Sequence, residues 1–129
     1  MFHVVTGGSG SGKSAFAEQC ILDCQGSKRI YIATMYPFDE ESYRRIARHR
    51  AMRAEKKFTT IERYTDLEHL TIPQGADVLL ECMSNLAANE MFDTEEPAGS
   101  EQVAEKIVTQ IGVLAQETEE LVIVTNNVF

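Results

Sequence analysis

Gly7-Gly8-Ser9-Gly10-Ser11-Gly12-Lys13-Ser14 has the spacing G-x-x-x-x-G-K-[ST]. In that pattern the glycines let backbone N–H groups close around a phosphate chain, the lysine reaches the β- and γ-phosphates, and the terminal hydroxyl binds Mg²⁺. The alternative is a flexible Gly/Ser turn that matches by chance. The flanking residues favour the phosphate loop, because a strand must feed the turn and a helix must leave it. A second candidate is Glu81, at the end of the apolar run Val78-Leu79-Leu80. An acid at the carboxyl end of a neighbouring strand is the usual Mg²⁺ partner of such a loop, so Ser14 and Glu81 form the expected metal pair. The plainer role for Glu81 is a surface charge or a cap. The third candidate is a histidine. Arg45, His49 and Arg53 are spaced i, i+4, i+8 and share one helix face. A neutral imidazole can act as a nucleophile, and guanidinium forks grip phosphate oxygens. Attack of His49 on a nucleotide α-phosphate would give a covalent nucleotidyl-histidine. Spacing alone leaves this beside a surface histidine on a basic helix. His3 and His69 have no such company and read as structural.

These groups need elements to carry them. The chain of 129 residues is long enough for one domain with one core. Strands are expected at Phe2–Thr6, Arg29–Thr34, Phe58–Glu62, Asp77–Glu81 and Glu120–Thr125. Helices are expected at Lys13–Cys24, Glu40–Lys56, Ser84–Phe92 and Ser100–Glu119, with His69 on a further short helix. The strand before the phosphate loop reads as buried. Val78-Leu79-Leu80 and Leu121-Val122-Ile123-Val124 read as strands covered on both faces of a parallel sheet. Asp39 is the expected N-cap of the second helix. Val103, Ile107, Ile111 and Leu114 form one face of the fourth. The sum is an α/β fold, a three-layer sandwich with a mostly parallel sheet and helices on both sides. Ligands are then expected at the carboxyl ends of the strands, which puts Asp77 at the wrong end of its strand.

Composition narrows the partners. The net charge of −8 argues against broad nucleic-acid binding. Yet Arg44, Arg45, Arg48, Arg50, Arg53, Lys56 and Lys57 crowd into one short segment beside a single acid, Glu55. That segment is either a second anion contact or a solvated face with surface ion pairs. No run approaches the ~18 apolar residues of a membrane span, and the first residues carry no secretory signal. Three cysteines, Cys20, Cys24 and Cys82, cannot all pair. They read as small buried hydrophobes in a reducing compartment rather than a metal or redox site. A cytoplasmic location is expected.

Taken together, several segments resemble the bifunctional adenosylcobinamide kinase/adenosylcobinamide-phosphate guanylyltransferase family of cobalamin biosynthesis. They are Thr6-Gly7-Gly8 with Ser11-Gly12-Lys13-Ser14, Tyr31-Ile32-Ala33-Thr34, and Arg45-Ile46-x-x-His49-Arg50-x-x-Arg53. Phe58-Thr59-Thr60-Ile61-Glu62, Leu79-Leu80-Glu81-Cys82 and Val124-Thr125-Asn126 complete the set. The Arg-Ile-x-x-His-Arg-x-x-Arg element is the most specific of these. The resemblance implies phosphorylation of adenosylcobinamide by ATP or GTP. It then implies guanylylation of His49 by GTP and transfer of GMP to adenosylcobinamide phosphate, with Mg²⁺. It further implies nucleotide contacts at Gly7, Gly8, Ser9, Gly10, Ser11, Gly12, Lys13 and Ser14, at Ala33, Thr34 and Met35, at Arg50, Ala51, Met52 and Arg53, and at Glu62 and Glu81. The family forms homotrimers.

The chain departs from the family at several points. Gly10 stands where an arginine is common, and Ala54 where a proline is. One residue is inserted before Phe58, and Asn127 and Phe129 replace an acid and a glycine. The family chain also runs on beyond this point, so residues 1–129 are expected to be a single phosphate-loop domain cut short at its C-terminus. Two other functions compete with the bifunctional enzyme: a small-molecule kinase with no covalent nucleotide, and a nucleotide-dependent binding module. Against the latter, no Asn-Lys-x-Asp guanine motif is present.

Overall fold

A computed structural model of the chain describes residues 2–7, 12–24, 26, 28–35, 39–92 and 100–126. The described residues form five strands and four helices. They are β1 (Phe2–Gly7), α1 (Lys13–Asp23), β2 (Arg29–Ala33), α2 (Glu40–Glu55), β3 (Phe58–Glu62), β4 (Ala76–Glu81), α3 (Met83–Phe92), α4 (Ser100–Glu117) and β5 (Thr118–Asn126). A 3₁₀ turn at Leu67–His69 precedes β4. All pairings are parallel, in the order β1-β5-β4-β2-β3.

Side-chain alternation along the strands builds two cores. On one face Ile30, Ile32, Val78, Leu80, Leu121 and Ile123 pack with Leu86 of α3 and with Val103, Ile107 and Leu114 of α4. On the other, Tyr31, Leu79, Val122 and Val124 pack with Ala17 and Ile21 of α1. The continuous apolar runs of β4 and β5 are therefore buried on both sides, as expected of central parallel strands. The long helix buries Gln110 as well. Its Oε1 accepts from the Leu67 N–H at 2.9 Å, and its Nε2 donates to Glu90 at 3.2 Å. A polar side chain on that face is thus satisfied rather than stranded.

Three expectations are corrected. β1 is not buried: Phe2 and Val4 are about half exposed. Among the described strands it pairs only with β5 and lies at the sheet edge. The boundary between α4 and β5 falls two residues early, because Thr118 pairs with Ala76 and the Gly75 N–H bonds to the Glu117 carbonyl. Sheet pairing there replaces the last helical turn. Of the cysteines only Cys82 is buried, and Cys24 is exposed.

The elements that carry the site start as local chemistry requires. Gly12, the N-cap of α1, has φ +83°, a left-handed backbone that suits glycine. Asp39 caps α2, its carboxylate accepting from the Ser42 N–H at 2.7 Å, and that bond holds the Asp39 carboxyl below its ordinary pKa. Only Ser42 and Arg53 are buried along α2. This helix is held at its two ends and is otherwise open to solvent.

Candidate active site

Register decides what meets at the carboxyl end of the sheet. Glu62 lies opposite Ala33, Ala33 opposite Glu81, and Glu81 opposite Val124. Three of the expected contact residues therefore form one row across β3, β2 and β4. At the start of the same strands Asp77 pairs with Arg29, at the far end from this row.

Above the row, α2 encloses two cavities that share Tyr31, His49, Arg53 and Glu81. The larger, about 370 Å³, adds Ala33, Met35, Arg45, Ile46, Glu62, Cys82 and Asn85. The smaller, about 280 Å³, adds Ser14 and Ala15 at the start of α1, with Glu18, Met52 and Lys56. His49 is exposed and so is open to a reacting group. Arg45, His49 and Arg53 line one cavity together, as their i, i+4, i+8 spacing requires. Arg50 and Ala51, one and two residues on, line neither. Arg50 instead lies 3.5 Å from Glu62 on the surface, a pairing that contributes little.

Glu81 is the hub. Ser14 Oγ donates to its Oε1, and Tyr31 O–H donates to its Oε2 at 2.5 Å. A serine hydroxyl has one proton and two lone pairs, so Ser14 can bond Glu81 and still offer oxygen to a cation. Hydroxyl and carboxylate oxygens are the donors that a hard divalent ion such as Mg²⁺ takes, so the pair fits that ion. Burial, and then the charge of Glu81 beside it, pushes the Tyr31 hydroxyl well above its ordinary pKa, which keeps it a donor. Arg53 is buried with its guanidinium 3.6 Å over the Tyr31 ring. Its Nε has no hydrogen-bond partner, and among the described residues no carboxylate pairs with it. A buried cation so placed, on the wall of two cavities, suits an anionic ligand.

Thr34, an expected nucleotide contact, also ties strands together. It is fully buried, and its Oγ1 accepts from the Cys82 N–H at 2.8 Å. Asn89 of α3 donates to the Thr34 and Tyr64 carbonyls at 2.8 and 3.0 Å. These bonds clamp the ends of β2 and β4 and so orient Glu81. Gly7 ends β1, and Lys13 begins α1. Gly8, Ser9, Gly10 and Ser11 lie outside the described residues. The residues that sequence reasoning passed over are Asn85, Asn89 and Glu18; Tyr31 and Cys82 stand within family segments and Lys56 within the basic segment, without an individual role. One signal was available for Tyr31: it is two residues from Ala33 on a strand, hence on the same face.

A family profile described as cobinamide kinase / cobinamide phosphate guanyltransferase matches residues 3–129. The chain belongs to this family. It is 42% identical over 96 residues to the bifunctional adenosylcobalamin biosynthesis protein CobU of Escherichia coli K12, covering 72% of this chain and 51% of that protein. It is 36% identical over 95 residues to the protein of the same name from Salmonella typhimurium LT2, covering 71% and 51%. The chain thus spans about half the length of the curated relatives it matches. The parallel α/β sheet with helices on both faces is the fold expected of a phosphate-loop member of the cobinamide kinase / guanyltransferase family. No helix among the described residues is long and apolar enough to cross a membrane.

Proposed function

We propose that this chain carries the nucleotide site of an adenosylcobinamide kinase and adenosylcobinamide-phosphate guanylyltransferase. The observation that carries the proposal is that Ser14, His49, Arg53 and Glu81 line one cavity of about 280 Å³. Phosphate-loop and histidine chemistry then share a single space. In the kinase step the γ-phosphoryl group of ATP or GTP passes to the aminopropanol hydroxyl of adenosylcobinamide. In the second step the imidazole nitrogen of His49 bonds to the α-phosphorus of GTP. The bond from that phosphorus to its bridging oxygen breaks, and pyrophosphate leaves with the electron pair. A phosphate oxygen of adenosylcobinamide phosphate then attacks the same phosphorus, frees His49 and gives adenosylcobinamide-GDP. Arg53 steadies the transferred group through its free guanidinium edge. Mg²⁺ held by Ser14 and Glu81 would offset charge on the phosphate oxygens. The family resemblance also supports a cytoplasmic homotrimer, for which the exposed length of α2 offers contact surface.

The test is incubation with α-labelled GTP and Mg²⁺ followed by denaturation. Label should remain on the protein through an acid-labile, alkali-stable bond and should be lost in His49→Ala. Label retained by His49→Ala refutes the assignment. Transfer of γ-label with no trapped GMP would instead identify a simple kinase.

A further inference from the structure

The side chain that joins the two halves of the site is Tyr31. Its ring seats Arg53 at 3.6 Å. Arg53 is the only buried side chain in the last three turns of α2, so this stack fixes the height and rotation of the helix segment that also carries His49. Its hydroxyl donates to Glu81 Oε2 at 2.5 Å, while Ser14 takes Oε1. Both carboxylate oxygens are thereby assigned, and the carboxylate plane cannot turn without breaking one bond. One rigid side chain with two rotatable torsions therefore spans from β4 and α1 to α2.

We propose that Tyr31 is a positioning residue that couples the Ser14–Glu81 pair to the Arg53–His49 face of α2, so that seating phosphates and cation at one end sets the geometry of the other. The inference rests on the nucleotide site proposed above, but the coupling itself can be read without nucleotide. Other links between α2 and its surroundings bypass Glu81. Lys56 pairs with Glu18 at 2.6 Å, Arg50 meets Glu62 on the surface, and Arg29 donates to the Lys56 carbonyl at 3.0 Å. Among the described residues, only the Tyr31 link runs through the acid that faces Ser14.

The experiment compares Tyr31→Phe, which keeps the ring and deletes the hydroxyl, with Tyr31→Leu, which deletes both. In the nucleotide-free protein, the ¹⁵N–¹H signal of Arg53 Nε is followed by NMR. Glu81→Gln should displace it in the parent chain and leave it unmoved when Tyr31→Phe is also present. Tyr31→Leu should abolish its ring-current shift. In the second arm a fluorescent GTP analogue is titrated with and without Mg²⁺. Tyr31→Phe should bind as the parent does in EDTA and need about tenfold more Mg²⁺ for the same gain in affinity, the effect of one hydrogen bond to a charged group. Tyr31→Leu should lose about tenfold in EDTA as well. A Glu81→Gln response that survives Tyr31→Phe, an unchanged Mg²⁺ requirement, or loss of cooperative folding in Tyr31→Phe would each overturn the proposal. Coupling in the first arm from a parent chain that binds no GTP analogue would sustain the Tyr31 link and refute the nucleotide site.

Discussion

Replacing Arg53 by methionine should weaken ligand binding without a matching loss of stability. Arg53 is about 5% exposed and has no carboxylate partner among the described residues. Desolvating such an ion costs several kcal/mol, and the stack on Tyr31 at 3.6 Å returns about 2 kcal/mol. Methionine fills the same slot with an apolar chain and carries neither term. Arg53→Met should therefore match the parent chain within about 1 kcal/mol or exceed it by about 1–2 kcal/mol, since replacing a buried charge by packed apolar atoms is often neutral or stabilising. Urea unfolding followed by circular dichroism measures this, with an unchanged m-value as the control. In the same variant each charge-assisted bond to a phosphate oxygen is lost, about 1.5–3 kcal/mol. GTP affinity by calorimetric titration should then fall roughly 10- to 150-fold. Arg53→Lys should recover little, because an ammonium lacks the planar fork. If Arg53→Met loses more than about 3 kcal/mol of stability while binding GTP as before, the arginine is a structural strut and the reasoning fails.

Two further expectations lie away from the site. Burial, reinforced by Glu120 and Glu119 and only partly offset by Arg29, pushes the Asp77 carboxyl above its ordinary pKa. The charged form is thus disfavoured in the fold: the penalty is complete above the folded pKa and gone below the unfolded value of about 3.9. Asp77→Asn should melt higher than the parent at neutral pH, with the difference vanishing as pH falls below about 4; a gain that persists in acid would contradict this. At Gly26 a Cβ would come to 2.0 Å from Asp77 Oδ2. Gly26→Ala should therefore cost about 1–3 kcal/mol in denaturant unfolding, and a variant as stable as the parent would show that Asp77 swings aside freely.

Much of the site was visible before any contact was known, because its signals are local. A phosphate loop is eight consecutive residues between a strand and a helix. The Arg45–His49–Arg53 face follows from 3.6 residues per turn, and Glu81 from an apolar strand that ends in an acid. Other features were not visible. Arg50 and Arg53 are the same residue type on one helix, yet only Arg53 is buried over Tyr31, because the docking angle of α2 decides between them. The bonds that Cys82 and Asn89 make to Thr34 were not legible either, since they form only after β2 and β4 pair.

Element types, the phosphate-loop spacing and the helix face that carries His49 can all be read from the chain alone. These depend on short-range spacing and on the intrinsic geometry of strands and helices. Only the tertiary structure decided that β1 lies at an edge, that Glu62, Ala33 and Glu81 share a row, and that Tyr31 bridges Glu81 to Arg53. Those outcomes rest on the order and register of strands distant along the chain. That register is set by packing both sheet faces at once, which no short window of residues encodes.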